Sequence, residues 1–207
     1  MVRLPRRLPV LVTHSGRFVL SPFAAADVDP LARLLTHDAV WSQGYGDGGP
    51  RPATYGQLIE FIHRRYDGLA VFAIHHHRMP GSPLFAGTTG ITGASDGRVR
   101  VGRTVIDPAL WGTGANHEAK VAVFDWLFAA GADGIECDVD PRNVRSLKSL
   151  TTLGFAVEGF RRIPSPATDS GWRDMAVLVL PAEAWPEARA RAVRTIDAGR
   201  RTLGAPA

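Results

Sequence analysis

Cysteine and lysine are nearly missing from this chain, and so is any long apolar run. Of 207 residues, one is cysteine, Cys137. A lone thiol excludes an internal disulfide and fits a reducing compartment, so a cytoplasmic location is expected. Lys120 and Lys148 are the only lysines, so nearly all of the 24 Lys+Arg residues are arginine. Arginine suits carboxylate and phosphate contacts. These arginines are scattered, however, and no aromatic residues interleave them, so the formal charge of +4 reads as compositional bias and nucleic acid is not an expected partner. No stretch reaches the ~18 apolar residues of a membrane span, and no membrane association is expected. Arg3, Arg6 and Arg7 precede a short apolar run, but Pro5 and Pro9 break it, so a signal peptide is not expected either.

What is present is enough apolar material, 45% of the chain, for one sizeable core. Residues 1–207 read as a single domain, with a core over about 17–185 and a basic terminal helix over about 182–201. Arg17-Phe18-Val19-Leu20 reads as a strand. Asp27 or Asp29 is the expected cap of a helix through Leu31, Leu34 and Leu35, and Thr54 caps a second through Leu58, Ile59, Ile62 and Tyr66. The glycine-rich segment between them, Gln43 to Pro52, reads as a mobile loop. Strands are expected at Leu69–Ile74, Leu84–Ile91 and Arg98–Ile106. His75 to Pro83 reads as a turn. His75 and His77 would share a strand face, but no third ligand accompanies them and no metal is expected. Asn116 to Ala130 is apolar around most of its circumference, the mark of a buried helix. A strand at Ile135–Val139, a helix from Asn143 to Leu153 stopped by Gly154, a strand at Phe155–Gly159, a loop from Arg161 to Ser170 and a strand at Trp172–Leu180 follow. The order is that of a mixed α/β domain, not a regular βαβ repeat.

The stretch with chemical content is Asp107-Pro108-Ala109-Leu110-Trp111-Gly112-Thr113-Gly114-Ala115-Asn116-His117-Glu118. A strand ends, a glycine turn follows, and a helix begins at once. Backbone N–H groups then converge at the positive end of a helix, which suits a phosphate. A P-loop needs Gly-Lys-Ser/Thr, and here Gly114 precedes Ala115-Asn116. A dinucleotide fold needs its third glycine where His117 stands, and needs the loop early in the chain. A pyrophosphate held by amides, with no required lysine, remains.

Three segments in this order carry a resemblance. They are Arg17-Phe18-Val19-Leu20-Ser21-Pro22-Phe23, the loop Trp111 to Ala119, and Asn143-Val144-Arg145-Ser146 followed by Leu153-Gly154-Phe155. Together they resemble the GNAT superfamily of acyl-CoA-dependent N-acyltransferases, in particular its ribosomal-protein N-terminal acetyltransferase (Rim-type) branch. The resemblance implies an α+β fold: a mostly antiparallel sheet splayed around the acyl-CoA site, with helices on both faces. It implies acetyl-CoA as cofactor, without a metal, and an amine acceptor as the second partner. The cofactor's pyrophosphate would lie on the amides of Trp111, Gly112, Thr113, Gly114, Ala115, Asn116 and His117. Val105 and Ile106 would pair with its pantetheine arm, and Asn143 would both cap its helix and reach that arm. Many members carry a tyrosine where Leu150 stands; in the resembled branch a serine at the Ser146 position takes its role, so the resemblance implies that Ser146 would protonate the departing thiolate. This chain has Trp111 where the loop usually opens with Gln or Arg, and Asn116 where it usually closes with Gly or Ala.

The general base is open among Glu158, Asp169 and Asp174. An α-amine, with a pKa near ~7.7–8.0, needs no strong base. Arg100 and Arg103, near the site, suggest an acidic acceptor. The expected activity is acetyl transfer to a primary amine, a protein N-terminus or a small molecule, by direct attack. Two other readings compete: a non-catalytic acyl-CoA-binding module, and, from pI alone, an RNA-associated protein. The sequence leaves the oligomeric state open, a homodimer included.

Overall fold

The computed structural model describes residues 7–77, 83–165 and 170–203. Eight strands make one open sheet. In chain order they are β1 (Leu11–Val12), β2 (Phe18–Pro22), β3 (Ala70–His77), β4 (Pro83–Ser95), β5 (Arg98–Ile106), β6 (Gly134–Val139), β7 (Ala156–Pro164) and β8 (Trp172–Pro181). Across the sheet the order is β1-β2-β3-β4-β5-β6-β8-β7. Every neighbouring pair is antiparallel except β5 and β6. Six helices surround the sheet: α1 (Val28–Leu34), α2 (Asp38–Trp41), α3 (Tyr55–Tyr66), α4 (Ala115–Ala129), α5 (Val144–Thr152) and α6 (Trp185–Leu203).

Strand alternation sorts the helices into two layers. On β3, Phe72 and Ile74 join a core with Phe124 and Leu127 of α4, Leu150 of α5 and Ala188 of α6. Val71, one residue before Phe72, joins Leu31 of α1 and Leu58 and Ile62 of α3. Successive side chains leave opposite faces of a strand, so the sheet carries helices on both. α4 is apolar nearly all round because both the sheet and α6 cover it: Phe124 meets Phe155 and Trp185, each at 5.6 Å between ring centroids.

Thr54 caps α3 as its sequence suggests, and Gln57 completes the reciprocal pair. Asp27 does something else. It makes no side-chain cap for α1. Its carboxylate accepts from Ala24 N at 2.9 Å and bonds His75 Nε2 at 3.0 Å. The expected histidine turn is therefore a continuation of β3, with His75 tied across to β2's exit; residues 78–82 of that turn lie outside the described residues. β7 likewise runs on to Pro164, through the first part of the expected Arg161–Ser170 loop. The glycine-rich segment folds into a short 3-10 turn, Tyr45–Gly48, whose Tyr45 packs edge-on to Trp41 and bonds Tyr66. The glycines suggested a mobile loop, but the contacts of Tyr45 with Trp41 and Phe61 dock the segment as a turn.

Candidate active site

β5 and β6 run side by side for three residues only, Arg98–Arg100 against Gly134–Glu136. β5 stays paired with β4 as far as Ile106. From Val101 onward the strands part, and a cleft of about 850 Å³ opens between them. A bulge accompanies the parting: the β4–β5 register shifts between Thr88 and Gly90, opposite Arg103, whose φ is +53°. A bulge adds right-handed twist and re-aims a strand. Left-handed backbone is costly for arginine, and a chain of hydroxyls holds it. Thr88 Oγ1 donates to Arg103 O at 2.9 Å. With that proton spent, Tyr66 donates to Thr88 at 3.0 Å and Tyr45 to Tyr66 at 2.7 Å. Burial pushes both tyrosine pKa values up, so both stay protonated at neutral pH.

Strand alternation sets apart the two β5 residues assigned to the pantetheine arm. A Cβ on Gly87 would lie 2.0 Å from Val105 O, so that carbonyl faces β4, not the cleft. Ile106, the next residue, turns its backbone to the cleft side. Its carbonyl already accepts from Trp111 Nε1 at 2.8 Å. The Ile106 N–H is thus the group on offer there.

The loop that follows is built to leave amides open. Asp107 accepts from Ala109 N, and the chain turns through Pro108–Leu110. Gly112 and Gly114 take φ of +78° and +84°, and Gly114 caps α4 without any side-chain bond. Trp111 N and Thr113 N are consumed by Pro108 O and Leu110 O. Among the described residues no backbone acceptor takes the amides of Gly112, Gly114, Ala115, Asn116 and His117, and all five residues line the cleft. Thr113 does not line it. Trp111, at the position that distinguishes this loop, locks Ile106 and carries the Arg145 guanidinium 3.5 Å above its ring.

α5 forms the facing wall. Asn143 Oδ1 accepts from Ser146 N at 2.9 Å, the expected cap, and its Nδ2 donates to Gln43 O at 2.6 Å. The Ser146 side chain lines the cleft. Ser149, one turn on, joins the two helices: Asn116 Nδ2 donates to its Oγ at 2.9 Å, and His117 Nε2 lies 3.1 Å from it. Burial, aided by the charge of Lys120, holds the His117 pKa below its ordinary value. Across the contact with Ser149 either His117 Nε2 or the hydroxyl can donate, according to the imidazole tautomer.

Two of the expected base residues lie elsewhere. Glu158 is on the exposed side of β7, held by Arg98 at 2.8 Å, away from the cleft lining. Asp174 projects outward from β8, while its neighbours Arg173 and Met175 face the cleft, as strand alternation requires. Asp169 lies outside the described residues. The carboxylates in the cleft are Asp138 and Asp140. Asp138 meets Arg161 at 2.7 Å and Arg100 at 3.4 Å. Asp140 meets Arg142 at 2.7 Å and Arg173 at 3.5 Å. Hydrogen bonds from Arg142 hold the Asp140 pKa below its ordinary value, against the opposing effect of burial. Arg100 also bonds Glu136 at 2.8 Å, so its charge is met within the protein. The argument for an acidic acceptor loses that support. Ser149, Asp138 and Asp140 were missed in the sequence. The signal for Ser149 was its position one turn beyond Ser146 on the same helix face.

A family model described as an acetyltransferase (GNAT) domain matches residues 17–156. No curated protein matches the chain in sequence. Among solved structures, it is similar to a GCN5-related N-acetyltransferase from Brucella melitensis, at 18% identity and a TM-score of 0.76, over 92% of this chain and 86% of that one. It is also similar to Mycobacterium smegmatis RimJ in complex with CoA-disulfide, at 21% identity and a TM-score of 0.63, over 90% and 92%. A spermidine N-acetyltransferase SpeG chimera from Vibrio cholerae and hSSAT shares 14% identity at a TM-score of 0.61, over 82% and 98%. At these identities the likeness is one of fold.

Proposed function

The chain belongs to the GNAT acetyltransferase family, acyl-CoA-dependent enzymes, and on that premise we propose that it moves an acetyl group from acetyl-CoA to a primary amine in a ternary complex. The acceptor is a protein N-terminus or a small-molecule amine, and the three sequence segments favour the Rim-type branch. The observation that carries this reading is the juxtaposition of the β5–β6 cleft with five open amides at the start of α4. Acetyl-CoA supplies an activated thioester, and the residues present fit it. Gly112, Gly114, Ala115, Asn116 and His117 offer N–H groups to the pyrophosphate. Ile106 would offer its N–H to the arm. Asn143 orients the first turn of α5, which carries Ser146 into the cleft.

The acceptor amine must arrive neutral. Asp138 and Asp140 are both taken by arginines, and Asp140 is held ionised with a lowered pKa, so neither is suited to removing a proton near pH 7. An α-amine loses its proton to water at little cost, because its pKa is near ~7.7–8.0. The nitrogen attacks the thioester carbonyl, the C–N bond forms and the C–S bond breaks. Ser146 Oγ–H passes its proton to the sulfur and regains one from the amine through solvent.

Calorimetric binding of acetyl-CoA, then release of free thiol against a panel of amines, tests the reading. Ser146→Ala is expected to lower kcat by about 10²-fold and leave acetyl-CoA affinity unchanged. Tight binding with no thiol release from any amine would instead favour a non-catalytic acyl-CoA module. Absence of binding to any CoA species would remove the reading.

A further inference from the structure

Lys120 is a buried cation without a counter-charge. It lies in the second turn of α4, is 6% exposed, and lines the cleft. Among the described residues its ammonium makes no ion pair and no hydrogen bond. The titratable group set against it from the sheet is Cys137 of β6, one residue past the last β5–β6 pair. That thiol is pushed up to about 11, chiefly by burial, and stays uncharged at neutral pH. On α4 itself, His117 is one turn earlier and neutral. The carboxylates flanking Cys137, Glu136 and Asp138, are taken by Arg100 and Arg161. Burial accordingly draws the Lys120 pKa down. Nothing among the described residues meets the charge, and the ammonium opens to the cleft, whose contents are what can meet it.

Its place in the cleft says what could meet the charge. The open amides of Gly112, Gly114, Ala115, Asn116 and His117 lie at the wide end. Lys120 stands beside Cys137, at the narrow end where β5 and β6 meet. A molecule that lays its phosphates on the loop and extends inward brings its far end toward Lys120. We propose that Lys120 contacts the thiol end of the bound cofactor and supplies the positive charge that the departing thiolate lacks. The proposal rests on the acyl-CoA reading of the cleft. In the transfer, the electron pair of the C–S bond goes to sulfur. Lys120 N–H hydrogen-bonds that sulfur, and the proton that neutralises it comes from Ser146 as above. Lys120 and Ser146 thus divide the work on one atom, charge from one and proton from the other.

The readout is the ionisation of bound CoA, followed by thiolate ultraviolet absorbance against pH in the wild type and in Lys120→Met. The wild-type complex is expected to form thiolate about one pH unit below the variant. The variant's kcat is expected to fall about 10²-fold with the amine KM unchanged. Its unliganded melting temperature is expected to rise, because methionine fills similar volume without a buried charge. Coincident titration curves, or a wild-type kcat in Lys120→Met, overturn the proposal. Should Lys120→Met fail to fold, the wild type decides alone. Its affinity for CoA should gain over that for S-methyl-CoA as pH rises through the thiol's titration, and parallel pH dependences overturn the proposal. A wild type that binds no CoA species removes the acyl-CoA reading itself, and the role of Lys120 with it.

Discussion

The two ends of the cleft are made of different material. The end at the loop is backbone: open amides, two left-handed glycines, and the Ile106 carbonyl locked by Trp111. The other end is side chain: Arg100, Asp138, Asp140 and Arg173 line it, and Arg100 and Asp138 are cross-linked to Glu136 and Arg161 over β5, β6 and β7. A site made of backbone binds whatever suits its dipoles and varies little when side chains change. A lattice of ion pairs can be re-paired by single substitutions, so it is the end more readily altered.

The sharpest way to break the backbone end is from behind. Glu118, fully buried in the first turn of α4, accepts from Thr13 at 3.1 Å and from Ser15, and meets Arg17 at 3.0 Å. Arg17 also donates to Thr113 O at 3.2 Å, within the loop itself. Glu118→Ala leaves a partly buried guanidinium and two hydroxyls without their acceptor. A loss of about 3–5 kcal/mol is expected, read as a melting point lower by about 10 °C. Weaker acetyl-CoA binding should accompany it, because the loop loses its anchor. Arg100→Met, at the other end, should leave that binding intact.

That contrast also explains what the sequence could disclose. The loop, its glycines, the Asn143 cap and the buried α4 are local: each depends on residues within a few positions, and each was legible. The parting of β5 from β6 is accompanied by a bulge whose support comes from Tyr45, Tyr66 and Thr88, distant in the chain, and no local pattern announces it. The ion-pair end was illegible for the same reason. Whether Asp138 or Glu158 enters the cleft is decided by sheet register, and a carboxylate's sequence neighbours carry no trace of the arginine it will meet. Asp27 shows the error in miniature: it stands where a cap is expected, and its carboxylate is drawn to His75, 48 positions away.

A smaller effect is expected at Trp111, where side chain and backbone meet. Trp111→Phe keeps a ring beneath Arg145 but removes the indole N–H that holds Ile106 O. One hydrogen bond of this kind is worth about 1 kcal/mol, so acetyl-CoA affinity should fall by about fivefold, with the amine KM unchanged. Calorimetry and steady-state kinetics on the same preparation check it. An equal loss in both parameters would mean that the two ends are coupled through Ile106 and are not separate constructions.

The smallest expected effect is at Glu158, and it bears on the comparison most directly. As a general base, Glu158 would have to reach the acceptor amine, and Glu158→Gln would then cost orders of magnitude in kcat. The structure places it on the exposed side of β7 against Arg98, where hydrogen bonds from that arginine lower its pKa and solvent surrounds the pair. An exposed ion pair contributes little to stability and nothing to a cleft it does not line. Glu158→Gln should therefore leave kcat, both KM values and the melting temperature at their wild-type values. A fall in kcat with a lost acidic limb in the pH profile would place a catalytic carboxylate on β7. The acceptor would then approach from that face, and the lattice of Arg100, Glu136, Asp138 and Arg161 would be its floor rather than its wall.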